Sequence, residues 1–107
     1  MSVPERTADQ RAAALAAALA ARQERARLRE RLKRREVSGL EVIEGAGTHE
    51  QWGALRVTWL LESLPGIGTV RADRLLESLG IARSRRIRGL GDRQRAALLA
   101  ELGRDGR

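Results

Sequence analysis

A chain of 107 residues carries one domain with a modest core. With no cysteine and a single histidine, His49, disulfides, thiolate sites and zinc cages are excluded, so neither a cofactor nor a metal is expected. The net charge is +7, from 21 basic and 14 acidic residues. No apolar run is long enough to span a membrane, so a cytoplasmic protein with a polyanionic partner is expected.

Residues 1–7 are expected to be a disordered N-terminus. Thr7 followed by Gln10 is a capping box. From Ala8 to Arg34 there is no Gly or Pro, and a long basic helix is expected over 8–36, roughly 40 Å at ~1.5 Å per residue. Its apolar stripe changes face. Ala12, Leu15, Ala16, Leu19 and Ala26 share one side, whereas Leu28 and Leu32 project from nearly the opposite one, at ~100° per residue. Either the Leu28–Leu32 half packs on the body while the first half projects or orders on a partner, or both faces pack on one body. Periodicity weighs the two equally.

A helical body is expected over 38–102. Ser38 with Glu41 repeats the capping-box pattern ahead of Leu40, Val42 and Ile43, with a stop at Gly45 to Gly47. Thr48 and Gln51 mark another short start, with Trp52 and Leu55 inward and His49 at the surface or capping. Val57, Leu60, Leu61 and Leu64 make a one-faced helix. Ala72, Leu75, Leu76 and Leu79 make the next, closed by Gly80. Ile81 and Ile87 anchor a connecting turn. Asp92 or Gly91 caps the last helix, where Leu98, Leu99 and Leu102 face inward, and residues 103–107 are expected to fray. No stretch has a convincing strand period. The fold class is all-α: a long N-terminal helix and a body of about four further helices.

Two short stretches carry the functional signal. In Leu64-Pro65-Gly66-Ile67-Gly68-Thr69, Pro65 ends the preceding helix. The glycines bring backbone close to a ligand, and a helix starting near Thr69 turns its N–H groups outward, where an anion binds. Arg71 and Arg74 lie on its first turns. An ordinary tight turn between core helices is the competing reading. The second stretch is Arg85-Arg86-Ile87-Arg88-Gly89-Leu90-Gly91-Asp92-Arg93-Gln94-Arg95.

Charge distribution supports that signal. Residues 22–35 hold eight basic residues against Glu24 and Glu30, and residues 83–95 hold six arginines against Asp92. Residues 36–62 between them hold five acids against Arg56. Two basic blocks suit two contact regions on one polyanion, although charge runs also serve as solvated faces. Trp52 and Trp59 are the only aromatic residues among Phe, Tyr and Trp, too few for a single-strand stacking track.

From Asp9 to Leu102 the chain resembles the actinobacterial integration host factor family. The match rests on Gln10-Arg11-Ala12-Ala13-Ala14-Leu15, Arg31-Leu32-Lys33-Arg34, Leu60-Leu61-Glu62-Ser63-Leu64-Pro65 and, most specifically, the run from Arg85 to Arg95. The resemblance implies a helix-two-turns-helix module behind the long helix. It also implies duplex DNA binding with little sequence preference, bending or compaction of DNA, a place in the nucleoid, and assistance to site-specific recombination at an integrase–DNA complex. Two features depart from the family: Thr69 stands where a lysine is common, and the glycines after the basic helix are replaced around Arg35-Glu36-Val37-Ser38, with only Gly39 remaining.

The expected site follows. Backbone N–H groups near Gly66, Gly68 and Thr69 take a phosphate, with Arg71 adding charge. Arg85, Arg86 and Arg88, with Gly89, lie along the same duplex face, and at least one arginine enters the minor groove. Arg93 and Arg95 extend the phosphate contacts. Ile87 and Leu90 either pin the loop to the core or act as an intercalating wedge. A second DNA patch is expected at Arg31, Lys33, Arg34 and Arg35, and engagement of both patches bends the duplex or bridges two. A monomer is expected, with no catalytic residue and no membrane partner. A related turn-helix module occurs in formamidopyrimidine-type DNA glycosylases, but these need an N-terminal proline nucleophile, and Pro4 is internal here. A similar fold in a ribosomal small-subunit protein makes structured RNA the alternative partner.

Overall fold

A computed structural model describes residues 7–106. Of the N-terminus expected to be disordered over residues 1–7, residues 1–6 lie outside that range, as does Arg107, whereas Thr7 is ordered as the cap of the first helix. Helix α1 (Ala8–Lys33) opens on the expected capping box: the Gln10 N–H donates to Thr7 Oγ1 at 3.1 Å, and the Thr7 N–H to Gln10 Oε1 at 2.8 Å. Only Leu28 and Leu32 are buried along α1, while Leu15 is 67% and Leu19 50% exposed. The first half of the helix therefore projects, and the second packs on the body. The Cα radius of gyration is 16.2 Å with extents of 53 × 32 × 27 Å, against about 13 Å for a compact domain of this size.

Helix α1 stops at Lys33, short of the expected residue 36. Arg35 takes a left-handed φ of 60°, and the Glu36 N–H donates to the Arg31 carbonyl at 2.9 Å. This 6→1 bond terminates the helix as a left-handed glycine usually does, and it lets Val37 turn into the core at 4% exposure. The missing glycine is thus replaced by a strained arginine rather than by a longer helix.

Helices α2 (Gly39–Gly45) and α3 (Glu50–Gly53) follow. Ser38 caps α2, accepting from the Glu41 N–H at 3.1 Å, and its hydroxyl donates to the Glu41 carboxylate. The cap of α3 is His49 rather than Thr48. His49 Nδ1 accepts from the Trp52 N–H at 3.3 Å, and its ring stacks on the indole at 4.4 Å. The Thr48 hydroxyl donates back to the Gly45 carbonyl. Helices α4 (Val57–Ser63), α5 (Thr69–Leu79) and α6 (Asp92–Asp105) complete the body. Among the described residues five helices thus follow α1, because α3 forms its own single turn.

The core is one cluster running from Leu28 and Leu32 through Val42, Ile43, Val57, Leu60 and Leu61 to Ala72, Leu76, Leu98 and Leu102. The Arg29 Nε donates to Ser63 Oγ at 3.2 Å, and its guanidinium lies 5.1 Å from the Trp59 ring centre, fastening α1 to α4. Gly80 closes α5 at φ 67°, and its carbonyl accepts from Gln94 Nε2 at 2.8 Å, tying α5 to the start of α6. Helix α6 continues past the expected fraying point at Gly103. Gly106 ends it at φ 67°, with its N–H on the Leu102 carbonyl. Among the described residues no helix is long and apolar enough to cross a membrane.

Candidate nucleic-acid interface

The hairpin between α4 and α5 forms largely as its residues dictate. Leu64 is extended (ψ 146°) ahead of Pro65, Gly66 has φ 75°, and the Ile67 N–H donates to the Leu64 carbonyl at 3.2 Å. Proline followed by a positive-φ glycine is the type II pattern. Buried Ile67, 6% exposed, pins the turn to the core. Gly68 needs no left-handed conformation, with φ −94° and ψ −176°; it stands as the N-cap of α5. It has no side chain to cap the helix, and the space a Cβ would fill is open to 4 Å. The Thr69 and Val70 N–H groups start an eleven-residue helix without a side-chain cap, an arrangement suited to an anion. Gly66, Gly68, Thr69 and Arg71 are all exposed.

The second turn is held by backbone pairing across 30 residues of sequence. The Val57 N–H donates to the Arg85 carbonyl at 3.0 Å and the Ile87 N–H to the Leu55 carbonyl at 2.9 Å. These bonds make Arg56 and Arg86 an antiparallel bridge. A single 3-10 turn, Ile87–Gly89, then leads to Leu90 and the Gly91 cap of α6. Ile87 is 4% exposed and Leu90 is half-buried, so Ile87 is a core pin rather than a wedge. The Gln94 side chain accepts from the Gly91 N–H at 3.1 Å, and Asp92 begins α6 instead of capping it.

Pinning Ile87 inward leaves the arginines outside. Arg85, Arg86 and Arg88 border one shallow hollow with Gly89, and all four are exposed. Arg85 Nη1 donates to the Gly89 carbonyl at 3.1 Å, and a Cβ on Gly89 would lie 3.4 Å from Arg85 Cδ. Arg86 Nη1 donates to the Ala54 carbonyl at the end of α3. Arg93 and Arg95 are exposed on the first turn of α6. Arg83 differs from its neighbours. It pairs with Asp73 and lies 3.9 Å from Glu62, while its carbonyl accepts from the Thr58 hydroxyl at 3.0 Å.

Arg31, Lys33, Arg34 and Arg35 are exposed around the end of α1. Arg34 pairs with Glu30 at 3.0 Å within the helix. Sequence reading missed Arg56, which looked like a lone cation in an acidic segment. No local signal would have found it, because its place beside Arg86 comes from the bridge. Among the described residues no group of His, Cys, Asp or Glu could hold a metal ion.

Residues 32–102 match the family model described as an S13-like H2TH domain. The chain is 50% identical to the integration host factor of Streptomyces coelicolor over 99% of both chains. It is 48% identical to that of Mycobacterium tuberculosis, over 96% of this chain and 98% of the relative. A solved structure described as sIHF bound to an 8bp palindromic DNA superposes with a TM-score of 0.76 at 50% identity, covering 80% of this chain and 97% of that one. Near-complete coverage at this identity, on an all-helical fold with the same module, places the chain in the actinobacterial integration host factor family, with an S13-like H2TH domain at its centre.

Proposed function

We propose that this protein is a nucleoid-associated DNA-binding protein that holds duplex DNA mainly through its phosphates. The observation that carries the reading is the bridge-held turn. It buries Ile87 and thereby presents Arg85, Arg86 and Arg88 together on one exposed surface. The solved relative with the same fold is described as bound to DNA. In this reading the α5 N-terminus near Gly66, Gly68 and Thr69 takes a phosphate, with Arg71 adding charge. Arg85, Arg86 and Arg88 follow the duplex, one entering the minor groove beside Gly89, and Arg93 and Arg95 extend the contacts. Arg31, Lys33, Arg34 and Arg35 hold a second DNA segment, so that joint engagement bends or bridges DNA and assists recombination. The protein acts as a monomer in the cytoplasm, on the nucleoid, without catalysis.

Phosphate contacts outnumber candidate base readers in this surface, so affinity is mostly electrostatic and sequence preference weak. The test is binding to a labelled duplex of ~20–30 bp across a salt series, long enough to span several phosphate contacts. Unlabelled duplexes of other sequence and structured RNA are the competitors. A steep salt dependence with similar affinities across DNA sequences is the expected outcome. RNA winning the competition would favour the ribosomal type of partner that the S13-like domain description suggests.

A further inference from the structure

Between the middle of α1 and the α3–α4 corner lies a cleft of about 310 Å³, within the roughly 300–1,000 Å³ range of small-ligand sites. Both tryptophans, Trp52 and Trp59, line it, and Leu28 adds apolar surface. Its charged lining is Arg25, Arg56 and Arg86 against Glu24 alone. Each indole is braced from elsewhere, Trp52 by the His49 ring at 4.4 Å and Trp59 by the Arg29 guanidinium at 5.1 Å. Neither of those partners is among the residues lining the cleft.

We propose that this cleft binds a nucleotide, its base against the indoles and its phosphate on the guanidinium groups of Arg25, Arg56 and Arg86. Flat apolar rings select a planar aromatic group, and stacking of a base on an aromatic side chain tolerates any base. The excess of arginine selects an anion, and the planar guanidinium fork matches phosphate oxygens. Glu24 offers an acceptor to a base amino group. Two tryptophans are too few to track a single strand, but one cleft holding both suffices for one nucleotide. The nucleotide is either free in solution or an unpaired residue of DNA. The second source rests on the duplex reading above and is served by Arg86, which lines both the cleft and the hollow beside Arg85 and Arg88.

Two measurements on the full chain separate these sources. In the first, adenosine monophosphate is titrated without DNA while tryptophan emission is followed. Both fluorophores line the cleft, so saturable quenching is expected, with none from ribose 5-phosphate, which has the anion but no ring. Ala21→Phe, which fills the cleft from α1, and Arg25→Glu, which reverses an exposed charge, each weaken that binding roughly tenfold or more. In the second, a blunt duplex is compared with the same duplex carrying one unpaired 3′ adenosine. Tighter binding of the overhang, lost in Ala21→Phe, assigns the occupant to DNA.

Either positive result supports the site. The absence of saturable quenching together with equal affinities for the two duplexes overturns it, as do effects that survive both substitutions unchanged. Blunt-duplex binding by the wild type reports separately on the duplex reading. Its failure leaves the first measurement intact.

Discussion

Arg56 and Arg86 stand opposite each other across an antiparallel bridge, flanked by the Val57–Arg85 and Ile87–Leu55 hydrogen bonds. Such a pair lies between the ladder bonds, where facing Cα atoms are about 4.5 Å apart and side chains are closest. Like charges in that relation repel. The backbone pairing and the burial of Ile87 hold them there, and in the proposed binding mode a phosphate beside both guanidinium groups would relieve the repulsion.

Arg86→Ala is expected to weaken duplex binding about tenfold at low salt, the effect of one charge-assisted contact. The slope of log affinity against log salt should become shallower by about 0.9. The melting temperature should change little, since loss of the bond to the Ala54 carbonyl is offset by loss of the repulsion from Arg56. Fluorescence anisotropy over a salt series and a thermal melt check both parts. Unchanged affinity in a folded variant removes Arg86 from the interface.

Arg83→Ala tests the neighbouring arginine, which is exposed but paired with acids. Its guanidinium is held by Asp73 and Glu62, so the salt slope should match that of the wild type even though affinity drops slightly through a looser turn. A slope reduced by a full contact would show that Arg83 reaches DNA after all.

Gly68→Ala separates folding from binding. The glycine has an ordinary φ of −94° and open space where a Cβ would go. Stability should therefore stay within about 0.5 kcal/mol of the wild type, as for other surface substitutions. If a phosphate sits against the α5 N–H groups, the added methyl holds it off and affinity falls several-fold. A melt and a binding isotherm on the same sample decide the matter.

Arg35→Gly should stabilise the fold by about 1 kcal/mol, because Arg35 occupies a left-handed conformation at φ 60° that costs a non-glycine residue roughly that much. In a domain of this size the melting temperature rises by about 4–8 °C. The same change removes one charge from the second basic patch. Duplex binding weakens with it only if that patch engages DNA, so stability and affinity should move in opposite directions.

Leu32→Ala and Leu19→Ala contrast the two halves of α1. Leu32 is 1% exposed in the core, and its truncation is expected to cost about 2–5 kcal/mol. Leu19 is 50% exposed on the projecting half, and its truncation should stay within about 0.5 kcal/mol. Urea midpoints of the two variants measure the difference. Equal losses would mean that the projecting half is covered in solution.

Local chemistry made much of the molecule legible from residues alone. Thr7 with Gln10, Pro65 before Gly66, and Gly80 after Leu79 each act within a few residues, and each formed as expected. The stripe that changes face along α1 left two arrangements open, and the burial of Leu28 and Leu32 with Leu15 and Leu19 exposed selects the one in which the first half projects. Local rules failed where a competing partner was close at hand. His49, expected at the surface or capping, caps α3 in place of the expected start at Thr48, because its ring both accepts a hydrogen bond and stacks on Trp52. Arg35 took a glycine's conformation because burying Val37 outweighed the strain.

Periodicity, capping and charge are properties of neighbouring residues, so the helices, most of their caps, the two basic blocks and the two turns were legible in the chain alone. Which cations share a surface was settled by packing between distant elements. The bridge joins residues 56 and 86, and it brought Arg56 to Arg86 while acids from α4 and α5 withdrew Arg83. Packing also gathered Trp52 and Trp59 into one cleft against α1. Such juxtapositions arise from burial of a common core by elements distant along the chain, so no local pattern of residues encodes them.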